Sequence, residues 1–292
     1  MFILILIGLY LKKKNIIQES GKDAIMDLIL VIVLPCNILK AFSVDFGENI
    51  LQKFAIIFLI ASFVQVLAYF ITKLAYNRFD DRKKAVFQYA TVCSNSGFMG
   101  NPVIEGIYGS IGLTYNSIFL IPLRVMMWTA GVSYFSEKSN KKALMKSILT
   151  HPCMLATYFG FVLMLTPLAI PEFALGAITA CSNSCTALTM IYIGTIVADV
   201  RLKEMIDLDQ LYFSFVRLIF MPLVVFIGCK LCGVDSFITA VSVILTGMPG
   251  GSTTSLLAAK YGGDTVSATK CVVCSTILSM LTLPVWCYIV AL

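Results

Sequence analysis

The residues best placed to do chemistry in this chain lie in two short runs, SNSGFMGNPV at Ser94 to Val103 and TGMPGGSTTS at Thr246 to Ser255, each set inside an apolar stretch. A helix interrupted at such a run exposes a new N-terminus whose free amides and positive dipole end face the gap. Carboxylates bind such ends readily. Ser94, Asn95, Ser96, Ser252 and Thr253 can add neutral hydrogen bonds, while Gly97, Gly100, Gly247, Gly250 and Gly251 let a ligand or a crossing backbone come close. The same residues also have a purely structural use, with glycines serving helix crossing and hydroxyls capping broken ends. Arg124 in IPLRVMMW and Arg217 in SFVRLIFMP lie deep in apolar sequence. A guanidinium there must face a cavity or a partner. It can grip a carboxylate with two parallel hydrogen bonds, pair with Glu105, or take carbonyls released at the breaks.

Composition sets the elements that must hold these residues. With 59% hydrophobic residues, 13% charged and a mean hydropathy of +0.89, the chain has too little polar surface to cover a soluble globule. It reads as an all-α polytopic membrane protein. A spanning helix needs roughly 20 apolar residues, and about ten apolar runs are present, near 1–11, 24–42, 50–72, 84–108, 111–135, 148–166, 172–198, 208–232, 236–260 and 265–291. The first is too short to span before Lys12, Lys13 and Lys14, so either residues are missing ahead of it or helix 1 is stunted. A cleaved signal peptide would carry its positive charges before the apolar run. The two polar runs fall in predicted helices 4 and 9, where a spanning helix should be unbroken. Irregular backbone at membrane depth survives only where protein or a water-filled cavity satisfies it, and a matched pair of breaks, one per half, points to the substrate site of a secondary transporter. Glu105, in predicted helix 4, is the clearest membrane carboxylate. Its protonation is a candidate for coupling proton movement to transport, with a structural salt bridge as the other use. Asp27 and Lys40, near opposite ends of helix 2, read as interfacial anchors.

The formal charge of +6 does not mark a nucleic-acid footprint, because Lys and Arg alternate between joints. Lys12, Lys13, Lys14 and Lys22 follow helix 1; Lys73, Arg78, Arg82, Lys83 and Lys84 follow helix 3; Lys138, Lys141, Lys142 and Lys146 follow helix 5. The positive-inside rule makes these joints cytoplasmic, so both termini face outward across the cell membrane. The cysteine pairs Cys229/Cys232, Cys271/Cys274 and Cys181/Cys185 fall inside apolar helices and read as packing rather than metal ligands. His151, ahead of Pro152, reads as the opening of helix 6 at the cytoplasmic surface. No nucleophile and base pair, phosphate-cradling loop or carboxylate dyad is present, so neither an enzyme nor a cofactor is expected.

The chain divides into two halves of five helices, 1–137 and 148–292, at the Lys138 to Ser147 joint. Five being odd, the second half must enter upside down relative to the first, an inverted repeat. Helix 4 then matches helix 9, and each break is followed by a Tyr-Gly turn, Tyr108–Gly109 and Tyr261–Gly262.

SNSGFMGNPV, PGGSTTSLLAAKYGGD with STILSMLTLP, and the opening ILIGLYLKKKNII resemble the auxin efflux carrier family, which includes plant PIN carriers and bacterial permeases associated with malate and malonate. The resemblance implies ten helices as an inverted 5+5 repeat in which helices 4 and 9 cross at their unwound segments, the plan also used by bile-acid symporters. It implies a scaffold of helices 1, 2, 6 and 7 that also forms a homodimer contact, and an elevator of helices 3–5 and 8–10. Position by position, Asn95 matches the crossover asparagine, Pro249 the crossover proline, and Asn183 in SNSCTALTM a substrate-facing asparagine on the scaffold. Two departures are clear: Ser94 stands where plant carriers have proline, and the central joint lacks their long hydrophilic loop, so a bacterial type of carrier is implied. The expected activity is secondary transport of a mono- or dicarboxylate. Asn95, Ser94, Ser96, Asn183, Pro249, Gly250, Ser252, Thr253, Arg124 and Arg217 are the candidate substrate contacts, and Glu105 is the coupling candidate. A sodium-coupled anion symporter and a non-transporting anion receptor are the alternatives.

Overall fold

With no water in hydrocarbon to satisfy the main chain, apolar sequence closes its own hydrogen bonds as helix. A computed structural model describes residues 2–42, 50–127, 134–135, 150, 152–166, 170–198, 207–251 and 253–291. Among them every regular element is helical: α1 (Phe2–Lys13), α2 (Glu19–Leu28), α3 (Leu34–Ala41), α4 (Ile50–Ala75), α5 (Asp81–Val92), α6 (Gly100–Met126), α7 (Pro152–Leu165), α8 (Glu172–Asn183), α9 (Cys185–Ala198), α10 (Leu208–Phe215), α11 (Met221–Leu231), α12 (Ser236–Thr246), α13 (Thr253–Lys260) and α14 (Thr265–Ala291). The joint expected to divide the halves, His151, and the Lys and Arg between 136 and 149 lie outside the described residues, as does Ser252.

Four helices are long and apolar enough to cross a membrane, Gln52–Ala75, Glu172–Thr195, Leu208–Leu231 and Thr265–Ala291. At ~1.5 Å per residue, each exceeds the roughly 30 Å hydrocarbon layer. Their outward sides carry Leu59, Phe63, Phe70, Leu231 and Tyr288, all exposed, while Ile57 and Ala61 of α4, like Val241 and Ile244 of α12, are fully enclosed. Apolar outer faces of this extent suit lipid rather than water.

Several helices are shaped by proline. α2 runs into α3 through a π-helical turn, Ile29–Val33, and α10 runs into α11 through another, Val216–Phe220; Pro35 and Pro222 follow immediately. Proline lacks an N–H and its ring clashes with the carbonyl four residues back. The widened turn relieves that clash, and the Leu218 carbonyl that Pro222 cannot serve accepts a bond from Trp286 Nε1 at 2.8 Å. The apolar run at 172–198 is interrupted at Ser184, whose hydroxyl donates to Cys181 O at 2.7 Å.

α1 has 12 residues, about 18 Å of helix. It packs on α9 with the backbones almost touching: a Cβ on Gly194 would lie 2.1 Å from Ile5 O, and one on Gly8 2.0 Å from Ile191 O. Small residues permit such approaches between membrane helices. Gly194→Val is therefore expected to push α1 off α9 and to lower stability by about 1–3 kcal/mol, the usual penalty of overpacking. A thermal melt of the purified variant reads this, and an unchanged melt would refute the close packing.

Candidate functional site

Two broken segments meet in the interior. α5 opens on Asp80, whose carboxylate accepts from Lys83 N at 3.1 Å, and α12 opens on Asp235, which accepts from Phe237 N at 3.0 Å and Ile238 N at 3.2 Å. Such caps satisfy amides that have no intrahelical partner. α5 then ends at Val92 and α12 at Thr246, and helix resumes at Gly100 and at Thr253. Each second piece runs to a Tyr-Gly turn with a left-handed glycine, φ 65° at Gly109 and 71° at Gly262. That conformation strains any residue with a Cβ. The matched turns read from the sequence thus share a positive φ at their glycines.

Between their helical pieces the two segments pair. Ser94 and Gly250 form an antiparallel bridge, in which Asn95 N donates to Pro249 O at 2.8 Å and Gly251 N donates to Cys93 O at 2.9 Å. Gly250 N donates to Ser275 Oγ at 3.2 Å. A Cβ on Gly251 would sit 2.8 Å from Cys93 O, so the approach requires glycine there. Asn95 O accepts from both Met99 N, at 2.9 Å, and Gly100 N, at 3.2 Å, which restarts the helix. Buried backbone groups must find partners, and at these breaks they find one another.

Arg217 closes the remaining gap. It is 2% exposed; its Nε donates to Met248 O at 3.0 Å and its Nη1 to Thr91 O at 3.1 Å, one carbonyl from each broken segment. Of the uses open to it in the sequence, this geometry matches the taking of released carbonyls. The hydroxyls are similarly engaged: Ser94 Oγ and Ser96 Oγ are 2.6 Å apart, Ser96 Oγ donates to Leu245 O at 2.8 Å, and Tyr89 Oη donates to Thr253 Oγ1 at 3.2 Å. Asn116, on the second stretch of α6, donates to Ser96 O at 3.3 Å. Asn95 is different. Its side chain is 7% exposed and makes no hydrogen bond among the described residues, although its main chain is fully used.

The other candidates stand elsewhere. Glu105 is half-buried and accepts from Asn37 Nδ2 at 3.0 Å rather than from an arginine. Asn37 Nδ2 also donates to Ser182 Oγ at 3.1 Å, and Lys40 Nζ donates to Asn183 Oδ1 at 2.8 Å. Asn183 and Glu105 thus share a polar cluster with three residues the sequence had not singled out as site candidates, Asn37, Lys40 and Ser182. A lone Asn following Pro35 in apolar sequence was a usable signal; the pairing of Lys40 with Asn183 across the fold was not. Arg124, 8% exposed, has Nη1 3.6 Å from Met154 Sδ of α7 and takes part in neither cluster.

The chain matches the family described as membrane transport protein over residues 1–287. It is also similar to an uncharacterized transporter of Methanocaldococcus jannaschii, at 24% identity over 301 residues covering 98% of this chain and 96% of the relative. Another uncharacterized transporter, from Methanothermobacter thermautotrophicus, is 26% identical over 291 residues, covering 97% of this chain and 94% of that one.

Proposed function

The chain belongs to the membrane transport protein family, the auxin efflux carrier family of the sequence resemblance, and from that premise we propose a secondary active carrier that moves a small organic anion by an elevator motion. The crossover carries the reading. Two helix starts, at Gly100 and Thr253, lie just beyond backbone tied to backbone, and an asparagine amide beside them has no partner among the described residues. A carboxylate suits such an arrangement, because helix starts favour negative charge and Asn95 supplies neutral donors. In this reading Pro249 and Gly250 shape the gap, Ser94, Ser96 and Thr253 line it, and Arg217 holds the two broken segments as one moving unit.

The paired Asp caps, paired breaks and paired left-handed glycines support an inverted repeat of 1–137 and 148–292 with ten helices in all. We assign helices 1, 2, 6 and 7 to a scaffold that dimerises, and the remainder to the elevator. The protein resides in the cell membrane with both termini outside, following the lysine and arginine distribution.

Flux of labelled malate into proteoliposomes, with and without an inward proton gradient and with and without sodium, tests the carrier. Saturable uptake that rises with the proton gradient is expected. A correctly inserted protein that moves neither malate nor any other mono- or dicarboxylate would overturn the reading.

A further inference from the structure

The polar cluster away from the crossover has a composition that the anion-carrier reading does not use. Lys40 and Glu105 bring opposite charges to the same place, yet among the described residues they do not pair with each other. Each is held by a neutral amide instead, Lys40 by Asn183 and Glu105 by Asn37. Opposite charges inside a membrane protein ordinarily neutralise one another or face a functional cavity. Both also have capacity to spare, since an ammonium has three donors and a carboxylate about four acceptor sites, and among the described residues one of each is used.

A second observation points to a missing donor. Asn37 is 0% exposed, and its Oδ1 has no partner among the described residues. Asn37 turns its Nδ2 toward both Glu105 and Ser182, which leaves Oδ1 as the orphan. A buried acceptor without a donor is costly. Glu105, Ser182 Oγ and Asn37 Oδ1 together form an acceptor-rich station suited to an ammonium group. Lys40 and the Asn183 amide form a donor-rich station suited to a carboxylate. Asn37 and Lys40 stand three residues apart on α3, about 5–6 Å between Cβ atoms, and Ser182 and Asn183 are adjacent on α8.

We infer that this cluster selects a small amino-carboxylate, its ammonium received by Glu105, Asn37 and Ser182 and its carboxylate by Lys40 and Asn183. The inference rests on the carrier reading and adds to it a preference, among the carboxylates carried, for one with a positive group a few bonds from a carboxylate. It gives Glu105 a ligand contact in place of proton coupling. A plain dicarboxylate sets negative charge against Glu105; a diamine sets positive charge against Lys40.

The test uses matched ligands that differ only by ammonium for hydroxyl: L-alanine against L-lactate, and L-aspartate against L-malate. Binding to the full chain in lipid nanodiscs is measured by calorimetry. The ammonium-bearing member of at least one pair is expected to bind tighter by about tenfold or more, the worth of a charged hydrogen bond. Glu105→Gln, which keeps the shape, should erase that preference while leaving the ligand-free melt near that of the parent. Lys40→Gln should weaken both members of a pair. Equal or tighter binding of the hydroxy acids, an equal loss of both members in Glu105→Gln, or no binding of any of the four overturns the inference. Uptake of the same ligands into proteoliposomes separates the two readings. Binding of L-alanine without flux keeps the site and removes the carrier, whereas flux of L-lactate or L-malate without preference keeps the carrier and removes the site.

Discussion

Arg217→Met is expected to lower the thermal transition of the purified protein steeply and to abolish transport. The guanidinium is buried and donates to Met248 O and Thr91 O, one from each broken segment. Thr91 O has lost its normal helical donor, because the amide four residues on, Asn95 N, is committed to Pro249 O. Methionine fills similar volume but donates nothing. Each buried acceptor left alone costs about 1–3 kcal/mol, so the pair costs on the order of 2–6 kcal/mol. Removing a buried charge returns some of this, but the remainder is large against a total stability of about 5–15 kcal/mol. Arg217→Lys should recover little, since an ammonium is a single point where a planar fork reaches two carbonyls at once. Thermal unfolding of the three proteins in the same detergent decides the matter. A methionine variant that melts with the parent would show that the crossover does not depend on this clamp.

Asn95→Ala should have the opposite signature, with transport lost and stability kept. The structural work of residue 95 is done by its main chain, through Asn95 N to Pro249 O and Asn95 O to Met99 and Gly100, and alanine preserves all of it. The side chain makes no hydrogen bond among the described residues. If it meets the carboxylate, as proposed, deletion removes a bond to a charged group worth about 1.5–3 kcal/mol, or about 10- to 150-fold in affinity. Uptake and melting are measured on the same preparation. Undiminished uptake would take Asn95 out of the site; a large drop in melting temperature would make its role structural.

The sequence made the breaks easy to find, because Gly, Pro and Ser are conspicuous in apolar sequence that lipid would otherwise require to be unbroken helix. The Tyr-Gly turns were equally apparent. What escaped was everything decided between distant segments. Arg217 had three plausible partners on paper, and only the fold brings it between Thr91 and Met248, 126 and 31 residues away. Glu105 was weighed against arginine, yet Asn37, 68 residues earlier, is what reaches it. The widened turns ahead of Pro35 and Pro222 were missed because the apolar pattern continues through them unchanged.

The tie between the two crossing segments is made of main chain, Asn95 N to Pro249 O and Gly251 N to Cys93 O, and main chain is the same whatever residue supplies it. The crossing can therefore persist while the side chains around it are exchanged, provided Gly251 stays small. Replacements of the side chains at positions such as 94, 95 and 253 leave these two main-chain bonds available, so on the proposed reading what is carried can change while the crossing that supports it is kept.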